Sequence, residues 1–193
     1  AATVNYVPTA DFYGTGGGAA TLTMSTVDNG NTGSGGTQTD VDTVTIDVAG
    51  VVDIAANTTS TLEDTAVTIN VLTNDTFENA GRTITAVDGI AITAGGPAVT
   101  LLNGTGTVAL NASGQLIFTP ALNYNNASAT TFSYTVTSGG ATETANVTVT
   151  AITAVDDAPA NAYTLPIYVT EDLATAITGI SVTDVDSLAS VAT

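Results

Sequence analysis

Thr144-Ala145-Asn146-Val147-Thr148-Val149-Thr150 alternates polar and apolar side chains with a period of two, and six other stretches of the chain do the same. These are Val67-Thr68-Ile69-Asn70-Val71-Leu72, Thr83-Ile84-Thr85-Ala86-Val87, Val99-Thr100-Leu101-Leu102, Gly106-Thr107-Val108-Ala109-Leu110, Leu116-Ile117-Phe118-Thr119 and Phe132-Ser133-Tyr134-Thr135-Val136. A period of two puts every second side chain on one face of an extended chain. β-Branched residues suit that pleated surface, and Thr is the commonest residue here, 40 of 193, while Ala numbers 30 and Gly 19. Seven such runs, punctuated by Gly, Asn and Asp, predict an all-β sandwich. Asn111-Ala112-Ser113-Gly114 reads as a hairpin turn, since Gly supplies a positive φ. Phe118, Phe132, Tyr134 and Tyr124 are the large core candidates.

Charge narrows the chemistry. The chain has 18 Asp and Glu, one basic residue (Arg82), no His and no Cys, for a net charge of −17. Ser-His-Asp and Cys-His catalysis and zinc sites lack their side chains. A phosphate-cradling loop lacks its Lys, so Gly16-Gly17-Gly18 and Gly33-Ser34-Gly35-Gly36 read as plain loops. Nucleic acid is a poor partner without Lys or Arg, and no apolar stretch approaches the roughly 20 residues of a membrane span. No small-molecule substrate and no enzymatic activity are expected. The counterion such a chain favours is a cation.

The sequence also echoes itself. Val44-Thr45-Ile46-Asp47-Val48 to Val51-Val52-Asp53 aligns with Val147-Thr148-Val149-Thr150-Ala151 to Ala154-Val155-Asp156, 103 residues on. Leu62-Glu63-Asp64-Thr65 is answered by Thr170-Glu171-Asp172-Leu173. Tyr6-Val7-Pro8-Thr9-Ala10-Asp11-Phe12-Tyr13 is answered by Phe118-Thr119-Pro120-Ala121-Leu122-Asn123-Tyr124-Asn125. A period near 100 residues indicates tandem β domains, longer than any solenoid repeat. The echoes place one complete domain at residues 50–154, the C-terminal part of a preceding repeat at 1–49 and the N-terminal part of a following repeat at 155–193.

In order, Glu63-Asp64-Thr65-Ala66-Val67, Asn70-Val71-Leu72-Thr73-Asn74-Asp75-Thr76, the Phe118 to Asn125 segment and the strand ending in Val155-Asp156-Asp157-Ala158-Pro159 form a pattern. It resembles the bacterial cadherin-like, Ig-like tandem repeats of giant surface adhesins of the RTX type. The flanks, with Asp28-Asn29-Gly30-Asn31 and Val182-Thr183-Asp184-Val185-Asp186, look like a second repeat type of the same proteins. The resemblance implies tandem cadherin-like and Ig-like sandwiches, one complete and two partial, in an extracellular stalk exported by a type I system, with calcium at the joints. The chain departs from the pattern after Asn74-Asp75-Thr76, where Arg82 stands in place of further acids. The first joint, Asp53-Ile54-Ala55-Ala56, also has one acid fewer than Asp156-Asp157-Ala158-Pro159 and no proline.

Calcium takes six to eight oxygen ligands in irregular geometry, which suits acids gathered from separate loops. At the second joint the candidate ligands are Asp156, Asp157, Glu171, Asp184 and Asp186. At the first they are Asp53, Glu63 and Asp75, with Asp28, Asn31, Asp40 and Asp42 from the preceding domain. Arg82 is expected to pair with Glu78 or Asp75. The leading expectation is a spacer in an adhesin stalk on the bacterial cell surface, contacting neighbouring repeats of its own chain or head-to-tail copies. The alternative is a self-assembling subunit of an extracellular filament, sheath or surface layer. A carbohydrate-binding module is a distant third, because only four Phe and six Tyr are present and most lie at core positions.

Overall fold

The computed structural model describes residues 3–14, 20–30, 34–164, 166 and 168–186, and among these the regular structure is strand apart from one short 3-10 turn. β1 (Ala20–Val27) and β2 (Thr39–Ile46) form an antiparallel hairpin. A two-sheet sandwich follows. One sheet holds β3 (Asn57–Leu62), β11 (Ala141–Thr153), β10 (Thr130–Ser138), β5 (Thr83–Val87) and β6 (Ile90–Ala91) in that order. The other holds β4 (Val67–Ile69), β9 (Leu116–Pro120), β8 (Gly106–Leu110) and β7 (Val99–Thr100). Beyond it, β12 (Ala160–Tyr163) pairs with β13 (Ile180–Thr183). No helix is long and apolar enough to cross a membrane among the described residues.

The core follows from the alternation. In β10, Phe132, Tyr134 and Val136 point inward and are buried, while the intervening Ser133, Thr135 and Thr137 face outward. Phe132 stacks on Phe118 of the facing sheet with ring centroids 6.0 Å apart and an interplanar angle of 23°. Val108, Leu116, Val147 and Val149 are completely buried around them. Burial of each such side chain contributes roughly 1.5–3 kcal/mol. Tyr124 packs against this cluster from its rim. Tyr134 is satisfied in the interior, donating to Ala55 O (2.9 Å) and accepting from Asn57 Nδ2 (3.1 Å), which ties the segment before β3 to the core.

The all-β sandwich is as expected, but details differ from the runs read in the sequence, among them the two-residue strand β6, which no run marked. β3 is an additional strand, lying parallel to β11 with Val147 opposite Asn57. Its inward positions, Asn57, Thr59 and Thr61, are polar and half-buried, so no apolar period marks it. The Val67–Leu72 run ends as a strand at Ile69 and tightens into a 3-10 turn over Val71–Thr73, which swings Val71 into the core. β7 stops at Thr100, because Leu101 N turns to bond Gly106 O (3.0 Å).

The internal echoes recur as structure. Phe12 N donates to Thr9 O (3.0 Å), as Tyr124 N donates to Ala121 O (3.0 Å), and the equivalent Asp11 and Asn123 both hold left-handed φ values, 59° and 55°. The bridge between Gly14 and Val48 resembles the bridge between Asn126 and Ile152, which lies one residue past Ala151, the echo partner of Val48. Asp64 and Asp172 likewise share φ values of 55° and 58°.

Candidate metal centres

The register of β3 against β11 puts the two ends of the sandwich under different acids. Asp53 precedes β3 at the end that carries the β10–β11 turn, whereas Glu63 follows β3 beside Thr153 at the opposite end.

At the first end Asp53 is buried, 7% exposed. Thr76 Oγ1 donates to its Oδ1 (3.0 Å), and Thr76 N donates to its carbonyl (2.8 Å). Glu143 Oε2 accepts the backbone N–H groups of Asp53 (2.9 Å) and Ile54 (3.1 Å). Asp11 comes from the N-terminal segment and grips the next loop, accepting from Glu78 N (3.1 Å), Asn79 N (3.0 Å) and Ser138 Oγ. Gly139 lets this segment approach, since a Cβ there would lie 2.3 Å from Ala10 O. One carboxylate oxygen each of Asp11, Asp53 and Glu78 then falls within 4.8 Å of the others.

The charges at this end are frustrated. Burial works against ionisation of Asp11, but the bonds from Ser138, Glu78 and Asn79 outweigh it and hold its pKa down at about 2. Glu78 is pushed above the usual carboxylate range, first by its side-chain bond to Asp11 and further by the charge of Asp53. The two carboxyl groups behave as a pair that favours one shared proton.

At the opposite end Glu63 is 1% exposed. Its Oε1 accepts from Val155 N (2.5 Å) and its Oε2 from Asn125 Nδ2 (3.2 Å). Asp186 Oδ2 accepts from Asp157 N (2.5 Å), and Asp184 Oδ1 accepts from Asp186 N (3.0 Å). One oxygen each of Glu63, Asp157 and Asp186 lies within 4.8 Å of the others. Asp157 is raised by burial and then by the charges of Asp186, Asp64, Glu63 and Asp184, and its Oδ2 is buried with no hydrogen-bond partner. A cleft of about 390 Å³ opens beside it, lined by Asn125, Val155, Asp156 and Asp186 among others. A buried carboxylate oxygen without a donor, in a cluster of acids with no basic residue, is what a hard cation would satisfy.

Among the residues picked out from the sequence, Asp157 and Asp186 meet directly, Asp184 supports Asp186, and Asp156 lines the adjacent cleft. Glu171 stays exposed on its turn. Glu63 sits with Asp157 and Asp186 instead of Asp53, because β3 carries it the length of the sheet. Asp75 lies near Asp53, accepting from Ala55 N (2.8 Å); burial raises its pKa, against that bond and the charge of Arg82. Glu78 is engaged by Asp11. Asp28 closes the β1–β2 loop by accepting from Gly30 N and Gln38 N, both at 2.9 Å. Asp40 and Asp42 are exposed on β2, and Asn31 lies outside the described residues. Asp11 and Glu78 were not singled out as ligands. The echo that aligns Asp11 with Asn123 is the signal that would have placed Asp11 at a domain end.

A family model described as a bacterial Ig domain matches residues 47–150, more than half of the chain. The chain belongs to the bacterial Ig domain family. No curated protein and no solved structure matches it. The Ig domain is a structural fold, and both clusters sit at its limits. It contributes Asp53 and Glu78 to the first and Glu63 to the second, while Asp11, Asp157 and Asp186 come from outside the matched residues.

Proposed function

We propose that this bacterial Ig domain and its flanks form a structural, non-catalytic segment of an extracellular adhesin stalk, of the cadherin-like RTX kind, stiffened by calcium at its joints. What carries the reading is that each end of the Ig domain gathers three carboxylates, and that neither set comes from the Ig domain alone. A cation held by Asp11, Asp53 and Glu78 fastens the N-terminal segment to the Ig domain. One held by Glu63, Asp157 and Asp186 fastens the segment that follows. Asn125 and backbone carbonyls supplement the carboxylates, since calcium accepts neutral oxygen donors and water. The acids at the second cluster repel one another without a cation, and bound calcium converts that repulsion into attraction.

Melting curves of the whole chain in calcium and in chelator test this. A cation bound only by the folded form adds RT ln(1 + [L]/Kd), about 2.7 kcal/mol at a hundredfold excess over Kd. That corresponds to a rise of several degrees for a chain of this size. The rise should shrink in an Asp157→Asn, Asp186→Asn double variant, which leaves only the Asp11, Asp53 and Glu78 cluster to hold the cation. Coincident curves for the unmodified chain would sink the calcium reading.

A further inference from the structure

We propose that the groove beside Arg82, between the two sheets, binds an unbranched aliphatic carboxylate, with the acyl chain against the core and the head on the guanidinium. The groove lies inside the Ig domain and holds about 540 Å³. Its floor is aliphatic. Ile84 comes from β5 and Ile92 from just beyond β6, Leu110 ends β8 in the facing sheet, and Leu72 belongs to the 3-10 turn. Ile84, Ile92 and Leu110 are members of the buried core cluster, so the groove reaches the core itself. The sheets part here because β6 ends at Ala91 and β8 at Leu110, and the Gly95 N to Leu110 O bond (2.8 Å) ties the loop after β6 across to the facing sheet. A concave site of several hundred Å³, mostly apolar with a few polar groups, is the usual form of a small-molecule pocket.

Arg82 fixes the sign of the ligand. It is the one basic residue of the sequence, against 18 acids. It lines the groove immediately before β5, is half-buried, and its side chain forms no hydrogen bond or ion pair among the described residues. The ion pair with Glu78 or Asp75 expected from the sequence is therefore not made, although the charge of Arg82 reaches Asp75 and works to lower its pKa. A guanidinium presents five N–H donors in a fork that matches a carboxylate bidentately. An anion meets repulsion from the acids elsewhere on the chain, so this charge selects one place and one orientation for it. The walls fix the rest of the ligand. No aromatic ring lines the groove for a base to stack on. An extended peptide would set N–H and C=O groups on an aliphatic floor, where unpaired polar groups are costly. An acyl chain brings no such groups.

Titration of the isotope-labelled whole chain with sodium decanoate, followed by amide NMR at neutral pH in chelator so that no calcium soap forms, tests the inference. The expected result is saturable shifts of the amides around Arg82, Ile92 and Ala112. Kd should rise about fourfold for each methylene removed on passing to octanoate and hexanoate. Arg82→Gln should weaken decanoate binding roughly ten- to hundredfold, as loss of a hydrogen bond to a charged group does. Ala112→Trp, at an exposed turn position, leaves the charge in place, fills the groove and should block binding. The unliganded amide spectra of both variants report that the sandwich is intact. Decanoate that shifts no amide of the groove overturns the inference. So does either folded variant binding decanoate as tightly as the unmodified chain.

Discussion

Asp157 and Asp11 respond to pH with opposite signs, and both responses can be measured. Asp157 is raised above its ordinary value of 3.8, chiefly by burial and then by neighbouring acids. Its protonated form is favoured in the fold, so its contribution is present below that value and is lost as pH rises through the raised pKa. In chelator the second joint should therefore loosen as pH rises above the ordinary carboxylate value, and calcium should cancel the loss. Asp157→Asn should stabilise the chain at pH 7 in chelator while reducing the calcium response to what the Asp11, Asp53 and Glu78 cluster supplies. Melting at pH 4 and 7, with and without calcium, checks both parts; an Asn variant that still responds fully would remove Asp157 from the site. Asp11, held at about 2, contributes above 3.8 and loses its contribution only as pH falls toward 2. Ser138→Ala removes one of its donors and should shift that acid loss to higher pH, visible as earlier release of the N-terminal segment.

At the level of elements, the strands legible in the sequence are those with a buried apolar period. β5, β8, β9, β10 and β11 were read within a few residues because Ile84, Val108, Phe118, Phe132 and Val147 mark an inward face. β3 was hidden because its inward face is polar, with Asn57 Nδ2 donating to Ala55 O (3.1 Å) and Val71 O (3.2 Å) as well as to Tyr134. That omission also misplaced Glu63. It is only ten residues from Asp53 in sequence, but the intervening six-residue strand spans about 20 Å and delivers it to the other cluster. Asp11 and Glu78 meet through long-range packing that no local pattern announces. The contact depends on the β10–β11 turn, where Gly139 has φ +57° and no room for a side chain. Gly139→Ala should free the segment around Asp11, exposing it to proteolysis, while the Ig domain stays folded. In the core, Phe118→Ala should cost about 3–5 kcal/mol, read from denaturant unfolding. A loss below 1 kcal/mol would mean that the two sheets are not held by the Phe118–Phe132 contact.

Across the whole molecule, the buried cluster lies between Ile69 and Ile152, so residues 50–154 expressed alone should fold as a cooperative monomer. The flanks contribute acids and strands to its ends, with no residue in its core. Such an arrangement transmits rigidity only if the joints are fixed, and the hydrogen bonds at each joint work against the mutual repulsion of its carboxylates. Small-angle X-ray scattering of the dilute whole chain, in calcium and then in chelator, measures this most directly. The account predicts a single extended distance distribution in calcium that broadens when the cation is removed, and that changes less in the Asp157→Asn, Asp186→Asn variant, where only the first joint still responds. Identical scattering in calcium and chelator for the unmodified chain would contradict it.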